Sequence, residues 1–324
     1  MSVPGTRLHV VSGKGGTGKT TVAAALALAL AERGRRTLLV EVEGRQGIAQ
    51  LFETEALPYA ERRIAIGPGG GEVYALVVDA EQALLDYLQM FYKLGGAGRA
   101  LRRIGAIDFA TTVAPGLRDV LLTGKVCEAV RRRGQGGTGR AYDAVVMDAP
   151  PTGRIARFLG VNHEVAGLAR VGPIHHQAQA VMRVLKSAET AVHLVTLLEE
   201  MPVQETADAV AELRAADLPA GAVVVNMARP AGDVAVPVPD HDPGLAAALT
   251  RAGLRGAGRL AGPLLTEGRE HTQRLALERA QRAELAGLGL PVHELPLLTE
   301  GADLAGLYRL ARLLRDLDWT GGAR

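Results

Sequence analysis

The stretch from Gly13 to Thr20 reads GKGGTGKT, and its residue types and spacing fit a loop that binds phosphate. Its closely spaced glycines let successive backbone N–H groups turn inward toward phosphate oxygens. Lys19 adds a positive charge that can reach the β- and γ-phosphates, and the hydroxyl of Thr20 suits Mg²⁺. The predicted nucleotide-binding residues of this loop are Gly13, Lys14, Gly15, Gly16, Thr17, Gly18, Lys19, Thr20 and Thr21.

The elements on either side of the loop are those that a phosphate-binding loop needs. Residues 7–11 form a short apolar stretch typical of a strand, and residues 21–31 form an almost continuous Val, Ala and Leu stretch typical of a buried helix. The N-terminus of that helix directs its dipole at the same anion. The alternative, a glycine-rich turn with a chance lysine, leaves this order of strand, loop and helix unexplained.

Two carboxylates that follow later apolar strands complete a predicted hydrolytic site. Glu43 follows the strand at 37–40, and Asp148 ends the strand at 142–148. Open α/β sheets place ligand chemistry at the carboxyl ends of their parallel strands, so we expect both acids near the loop. Glu43 would orient or activate the attacking water, and Asp148 would hold Mg²⁺ through a water molecule, opposite Thr20. The alternatives are a solvated loop acid at Glu43 and a helix cap at Asp148.

Several segments resemble the arsenite-pump ATPase ArsA and its relatives that target tail-anchored proteins. The segments are GKGGTGKTT at 13–21, DAPPTGR at 148–154, and Glu199 with the later Glu205-Thr206. More narrowly, VEVEGRQGIAQLF at 40–52 and DAPPTGRIARFL at 148–159 resemble the actinobacterial "anion-transporting ATPase" branch. The resemblance covers nearly the whole chain, and it implies a P-loop ATPase that uses ATP and Mg²⁺ and dimerises around the nucleotide.

The same resemblance assigns roles to residues that composition and spacing alone do not explain. Lys14, directly after the first glycine, marks the deviant Walker A loop of the MinD/ArsA class, in which this lysine reaches the nucleotide of the partner subunit. Asn226, Pro296 and Leu297 match the adenine side of the family's site. The expected partner is either a second copy or a paralogous ArsA-like subunit, since this branch tends to come as two paralogues. The alternative for Lys14 is a solvated surface lysine.

The chain departs from the family pattern at two places. Relatives carry an aspartate followed by proline in the first switch, where this chain has Glu43 and Gly44, which puts the hydrolysis rate in question but not nucleotide binding. Cys127 is the only cysteine, so we expect no zinc clasp, no iron–sulfur cluster and no arsenite transport through paired thiols. The adjacent histidines at 175 and 176 are not expected to bind a metal, because neighbouring side chains diverge on a helix.

The alternation of apolar strands and helices predicts an α/β P-loop NTPase fold with a mostly parallel, doubly wound sheet. We expect a single P-loop ATPase domain over 1–324, with a helical insertion at about 80–132 and a helical segment at about 160–188. A chain of this length could also hold two average domains. A charged helix at 267–288 and a final helix at 303–317 complete the predicted elements.

Composition limits the partners and the compartment. The formal net charge is +2, which gives no reason to expect nucleic acid as a partner. The longest apolar run, at 22–31, is too short to span a bilayer, and no charged and apolar leader precedes the first strand, so a cytoplasmic location is expected. The final helix carries balanced charges and is expected to pack against the sheet, which leaves peripheral membrane contact open.

The function that these observations predict is an ATPase switch, in which Mg-ATP closes a dimer and reorders the segments at Glu43 and Asp148. Helical insertions would then repack against a client or partner protein. The main alternative is a chaperone-like or scaffold subunit that binds nucleotide but hydrolyses it weakly, beside an active paralogue. A small-molecule kinase is a third possibility, but the sequence identifies no acceptor pocket.

Overall fold

The computed structural model describes residues 5–92, 115–134, 139–168, 173–229 and 238–317. The strands in these ranges are β1 (Leu8–Gly13), β2 (Arg36–Glu41), β3 (Arg62–Ile66), β4 (Glu72–Val77), β5 (Ala144–Asp148), β6 (Thr190–Thr196), β7 (Ala220–Ala228) and β8 (Val292–Pro296). They form one sheet in the order β3-β4-β2-β5-β1-β6-β7-β8. Neighbouring strands are parallel except β3, which pairs with β4 in the antiparallel sense.

The sheet order places β1 at the centre, between β5 and β6. In register, Val11 of β1 faces Asp148 of β5, and Gly13 faces Val195 of β6. Glu41, the last residue of β2, faces Asp148 from the other side. The carboxyl ends of β1, β2 and β5 therefore meet at one edge of the sheet, as ligand sites in open α/β sheets require.

Helices cover both faces of the sheet. They are α1 (Lys19–Leu30), α2 (Gly47–Leu51), α3 (Ala80–Tyr92), α4 (Pro115–Arg131), α5 (Thr152–Leu168), α6 (Pro173–Leu185), α7 (Glu200–Ala215), α8 (Leu245–Arg251), α9 (Ala257–Ala286) and α10 (Leu304–Arg315). The mostly parallel, doubly wound α/β fold expected from the sequence is confirmed. None of the helices in the described ranges combines the length and the apolarity needed to cross a membrane.

One face of the sheet is covered by α1, α2 and α10. Every residue from Val22 to Leu30 is buried, so α1 has no polar stripe and lies between the sheet and α10. On α10 the buried residues are Leu307, Leu310, Ala311 and Leu314, and Asp303 caps the helix by accepting a hydrogen bond from the backbone N–H of Gly306 at 2.7 Å. The final helix thus packs onto the nucleotide-loop helix, which itself covers the sheet.

The opposite face carries a second apolar core, formed by the sheet with helices α3 to α7. Its large buried side chains include Met147 of β5 and Ile155, Phe158 and Leu159 of α5. Asp79 caps α3 by accepting a hydrogen bond from the backbone N–H of Gln82 at 2.8 Å. Within the predicted helical insertion at 80–132 the structure describes α3 and α4, and residues 93–114 lie outside the described ranges.

Some elements differ from the sequence-based expectation. The edge strand β3 was not predicted, because its five residues include two arginines and alternate only weakly. The charged helix expected at 267–288 begins ten residues earlier, at Ala257, and continues through Pro263, while α8 before it was not expected.

Candidate nucleotide-binding site

The predicted phosphate loop connects the end of β1 to the start of α1. Gly13 lies so close to β6 that a Cβ atom at this position would be 2.2 Å from the carbonyl oxygen of Val195. Gly18 has φ +84°, and a Cβ atom there would be 2.3 Å from the side-chain nitrogen of Asn226. Thr17 closes the loop, since its Oγ1 donates to the carbonyl of Lys14 at 2.9 Å. Glycine is therefore required at Gly13 by a close backbone contact, and at Gly18 by the positive φ together with the contact to the Asn226 side chain.

Thr20 and Asp148 meet directly beneath the loop. The Thr20 hydroxyl donates to Oδ2 of Asp148 at 2.7 Å. Asp148 is 8% exposed, and its other oxygen, Oδ1, is buried with no hydrogen-bond partner among the described residues. Burial raises the pKa of Asp148 to about 6, against the opposing effects of the Thr20 hydrogen bond and the Lys19 charge. A buried carboxylate oxygen without a partner is an incomplete arrangement that a cation or its bound water would complete.

Lys14, which is predicted to mark a deviant Walker A loop, is held within its own chain. Its Nζ lies 2.8 Å from Oε1 of Glu205 on α7, and the two side chains are about one third exposed. The hydroxyl of Thr152 donates to the other oxygen of Glu205 at 3.3 Å. Thr152 begins the helix that follows the Asp148 loop, so one carboxylate connects that helix to the phosphate loop. Glu205 belongs to a segment that carries the family resemblance, but no sequence pattern predicts that it lies beside Lys14.

Glu43 lies just beyond the carboxyl end of β2, as expected. Its carboxylate is 3.8 Å from the guanidinium of Arg45, and its side chain is 23% exposed, against 76% for Arg45. Gly47, four residues later, packs against the phosphate loop, where a Cβ atom would be 3.2 Å from the Thr20 methyl group. The segment that carries Glu43 is thus seated next to the predicted metal-binding threonine.

The predicted adenine-side residues lie at the same edge of the sheet, at or near the carboxyl ends of β7 and β8. Asn226 is 6% exposed, and its side-chain N–H donates to the carbonyl of Thr17 at 2.9 Å, which ties β7 to the phosphate loop. Pro296 ends β8, and the backbone N–H of Leu297 donates to the carbonyl of Ala228 at 2.9 Å. The side chain of Leu297 is exposed. Contact of these residues with adenine stays a prediction.

A cleft of about 860 Å³ opens beside the Glu43 segment. Its walls come from residues 42–46, the end of β4, α4 and the start of α5. Asp119 of α4 lies 3.8 Å from Arg154 of α5 across it, and burial raises the pKa of Asp119 above its usual value. The cleft therefore touches both segments that border the predicted γ-phosphate position.

Cys127, His9 and His193 are buried titratable residues that are not part of the predicted site. Cys127 is fully buried, and burial raises the pKa of its thiol to about 12. Within the described ranges, no group of three or more His, Cys, Asp or Glu residues is arranged to hold a metal ion. His9 and His193 form a buried pair on β1 and β6 with their ring nitrogens 3.1 Å apart.

A parallel sheet with a glycine-rich loop at its central strand, and a threonine and a carboxylate paired beneath that loop, define a P-loop nucleoside triphosphatase. The model of the anion-transporting ATPase family matches residues 6–188. The chain belongs to that family, and it is an enzyme that hydrolyses ATP.

Individual relatives agree with this assignment. The chain is 53% identical over 320 residues to ATPase BagA of Mycobacterium tuberculosis, which covers 96% of this chain and 93% of that protein. It is 28% identical over 156 residues to a putative arsenical pump-driving ATPase 2 of Aquifex aeolicus, covering 47% and 48% of the two chains. It is 27% identical over 250 residues to ATPase GET3 of Kluyveromyces lactis, covering 67% and 70%.

Proposed function

We propose that this ATPase is a dimeric switch, in which Mg-ATP binding and hydrolysis change a helical surface that contacts a client or partner protein. The observation that carries the proposal is the ion pair between Lys14 and Glu205. A lysine that must reach a partner's nucleotide has to leave this pair first. Because Glu205 also accepts from Thr152, the departure of Lys14 changes the contacts of α7 and α5 together.

The residues of the loop divide the work of phosphoryl transfer. Backbone N–H groups of residues 13–18 surround the phosphates, and Lys19 offsets charge on the β- and γ-oxygens. Glu43 orients the attacking water for in-line displacement at the γ-phosphorus, and the partner's copy of the residue-14 lysine adds positive charge as the leaving oxygen becomes anionic. ATP and water are thereby converted to ADP and phosphate.

The residues beneath the loop fit a magnesium ion. Thr20 offers a hydroxyl oxygen and Asp148 a carboxylate whose Oδ1 has no partner among the described residues, and hard cations such as Mg²⁺ prefer oxygen ligands. Thr20 would bind the ion directly and Asp148 through water. When bound, Mg²⁺ would offset the negative charge of the phosphate groups.

The route from the site to the helical surface runs through the loop after Asp148. Ser12 of β1 donates to the carbonyl of Pro150 in this loop at 2.6 Å, which ties the loop to the central strand. Thr152 then begins α5, one wall of the cleft beside Glu43. A change at the γ-phosphate therefore reaches α4 and α5 through one short connection, and these helices form the proposed client or partner surface.

The thiol of Cys127, the single cysteine of the chain, limits the kinds of ligand or partner that the protein can bind. Cys127 is buried and its thiol pKa is raised, so it does not offer the thiolate that binds soft metalloids. We therefore propose a protein client or a partner subunit instead of a thiol-bound anion. The partner subunit is either a second copy of this chain or a paralogue. Each subunit would consist of a single P-loop ATPase domain.

The proposal is tested by light scattering and phosphate release, with and without Mg-ATP, on the wild type and on Lys14→Ala. The matched control is Lys186→Ala, since Lys186 is also about one third exposed and pairs with Asp217 at 3.5 Å. We expect the wild type and K186A to form a dimer with ATP and to release phosphate, and K14A to bind ATP as a monomer with slow release.

The opposite results have clear meanings. A wild-type mass that does not change with ATP contradicts a homodimeric switch and directs the search to a paralogous subunit. Dimerisation of K14A equal to that of the wild type contradicts the role of Lys14 in the interface. A Glu43→Gln variant with unchanged turnover would contradict the role given to Glu43.

A further inference from the structure

Glu41 is a buried acid that has no role in the proposed mechanism of ATP hydrolysis. It ends β2, is 2% exposed, and lies in register with Asp148 of β5. Burying a carboxylate is costly unless its oxygens have hydrogen-bond partners. Both oxygens of Glu41 have one, and both partners are backbone N–H groups of the segment that follows Glu43.

The two hydrogen bonds close a short loop. Oε1 of Glu41 accepts from the N–H of Gln46 at 2.6 Å, and Oε2 accepts from the N–H of Ile48 at 3.2 Å. Ile48 lies in the first turn of α2, so the carboxylate also satisfies an N–H group at a helix start. One side chain thus fixes both ends of the bend that contains Gln46.

A second pair of hydrogen bonds holds the same bend, through the side chain of Gln46. The side-chain amide of Gln46 donates to the carbonyl of Leu57 at 3.1 Å and accepts from the N–H of Leu57 at 2.8 Å. The backbone of Gln46 has φ +58°, which residues other than glycine adopt only when their surroundings require it. The bend is therefore held in an unfavourable conformation by Glu41 and by Leu57.

The segment held in this way is the one that carries Glu43. Glu43 and Gly44 lie between the anchor at Glu41 and the bend at Gln46, and Gly47 packs against Thr20 of the phosphate loop. Within residues 42–48, the position of the Glu43 carboxylate depends on where the backbone N–H groups at 46 and 48 are fixed. Both carboxylate oxygens of Glu41 accept hydrogen bonds from these backbone N–H groups.

We propose that Glu41 is the positioning residue of the Glu43 segment: its buried carboxylate fixes the backbone at Gln46 and Ile48 and so sets where Glu43 stands beside the γ-phosphate. The inference rests on the proposed role of Glu43. A glutamine at position 41 keeps one acceptor oxygen but turns an N–H₂ group toward a backbone N–H, so one of the two bonds is lost and a repulsion is added.

The test uses Glu41→Gln in the full-length protein, with Glu55→Gln as matched control. Glu55 lies in the same part of the chain, but its side chain is 88% exposed and 3.6 Å from Arg62. Two properties are measured: the rate of tryptic cleavage after Arg45, whose side chain is 76% exposed, and the kcat and KM for ATP.

We expect E41Q to be cleaved after Arg45 about tenfold faster than wild type, because the bend loses an anchor. Its kcat should fall between about tenfold and a hundredfold while KM changes less than about threefold, since misplacement of a catalytic group affects the chemical step more than binding. E55Q should match the wild type in both properties. If E41Q does not fold, Glu41→Asp replaces it, since aspartate keeps the charge but is one methylene shorter. E41D should also be cleaved faster after Arg45 and have a lower kcat than the wild type, but both changes should be smaller than those expected of E41Q.

An unchanged cleavage rate after Arg45 in a folded E41Q or E41D overturns the inference, whatever the kinetics show. Faster cleavage with unchanged kcat also overturns it, and Glu43→Gln then tells which step failed. If E43Q lowers kcat, only the role of Glu41 is wrong; if E43Q leaves kcat unchanged, the proposed role of Glu43 is wrong as well.

Discussion

The buried histidine pair should make the protein sensitive to acid, through His9. Both rings are fully buried, and burial lowers the pKa of His9 from 6.5 to about 4 and lowers that of His193 as well. The N–H of Ala222 donates to Nδ1 of His193, so neutral His193 carries its proton on Nε2 and donates it to Nδ1 of His9. A proton added to either ring would disrupt this series of hydrogen bonds.

The sign of the effect follows from the direction of the shift. Since the folded pKa lies below the unfolded one, the unfolded state binds protons between pH 6.5 and 4 that the folded state does not. Stability is present above pH 6.5 and is lost as the pH falls. For His9 alone, the shift from 6.5 to about 4 corresponds to about 2 kcal/mol lost between pH 7.5 and pH 5.

Urea unfolding at pH 7.5, 6 and 5 measures this loss. His9→Leu should show a smaller decrease between pH 7.5 and 5 than the wild type, by about 2 kcal/mol, even if its stability at pH 7.5 is lower from changed packing. His163→Leu is the control, because His163 lies exposed on α5 and should leave the decrease as in the wild type. Equal decreases in wild type and H9L would refute the assignment of acid sensitivity to the buried pair.

Three residues around the phosphate loop should give separate effects when they are changed. Gly18→Ala places a Cβ atom at φ +84° and 2.3 Å from the Asn226 amide, so the free energy of unfolding should fall by at least about 1–2 kcal/mol in denaturant titrations. Asp148→Asn should lower kcat roughly 10- to 100-fold and raise the Mg²⁺ concentration needed for half-maximal phosphate release; an unchanged Mg²⁺ requirement would contradict the metal role. Glu205→Gln frees Lys14 from a partly exposed ion pair of about 0.2–1 kcal/mol in each subunit. Because a homodimer has two such pairs, ATP-dependent dimerisation in light scattering should occur at up to about thirtyfold lower protein concentration. Dimerisation that is unchanged or weaker would show that the pair does not compete with the interface.

The parts of the site that were predicted from the sequence are those whose signal is local. The phosphate loop is contiguous, and its glycines, lysine and threonine occur at fixed spacing between a strand and a helix. Asp148 could be placed because it ends an apolar strand, and parallel strands end at a common edge. The direct hydrogen bond between Thr20 and Asp148 follows from these two placements.

The parts that were missed depend on contacts between distant segments. Glu205 pairs with Lys14 only because α7 packs beside the central strands, and nothing in the helix sequence marks that position. Glu41 and Glu43 are separated in sequence by one valine. Only the end of β2 at Glu41 decides which of the two carboxylates accepts hydrogen bonds from the backbone of the following segment. Asn226 was predicted from the family resemblance, but its bond to Thr17 depends on the register of β7.

Strand β3 shows why an edge strand is difficult to predict from the periodicity of apolar residues. It pairs with β4 alone, so only one of its sides is hydrogen-bonded, and its residues are exposed or partly exposed. The apolar pattern that identifies central parallel strands therefore has no equivalent there. The first ten residues of α9 were missed for a similar reason, because Ala257 is the only one of them that is buried.

The burial of α1 from Val22 to Leu30 separates the molecule into parts with different free energies of opening. Backbone amides from Val22 to Leu30 lie between the sheet and α10, so hydrogen exchange there requires global unfolding, and its rate measures the stability of the whole fold. The bend at Gln46 is held by a few individual hydrogen bonds, so its amides should exchange through local opening. Comparing the two sets in one exchange experiment would separate a loosened catalytic segment from a destabilised protein, without unfolding the protein or measuring turnover.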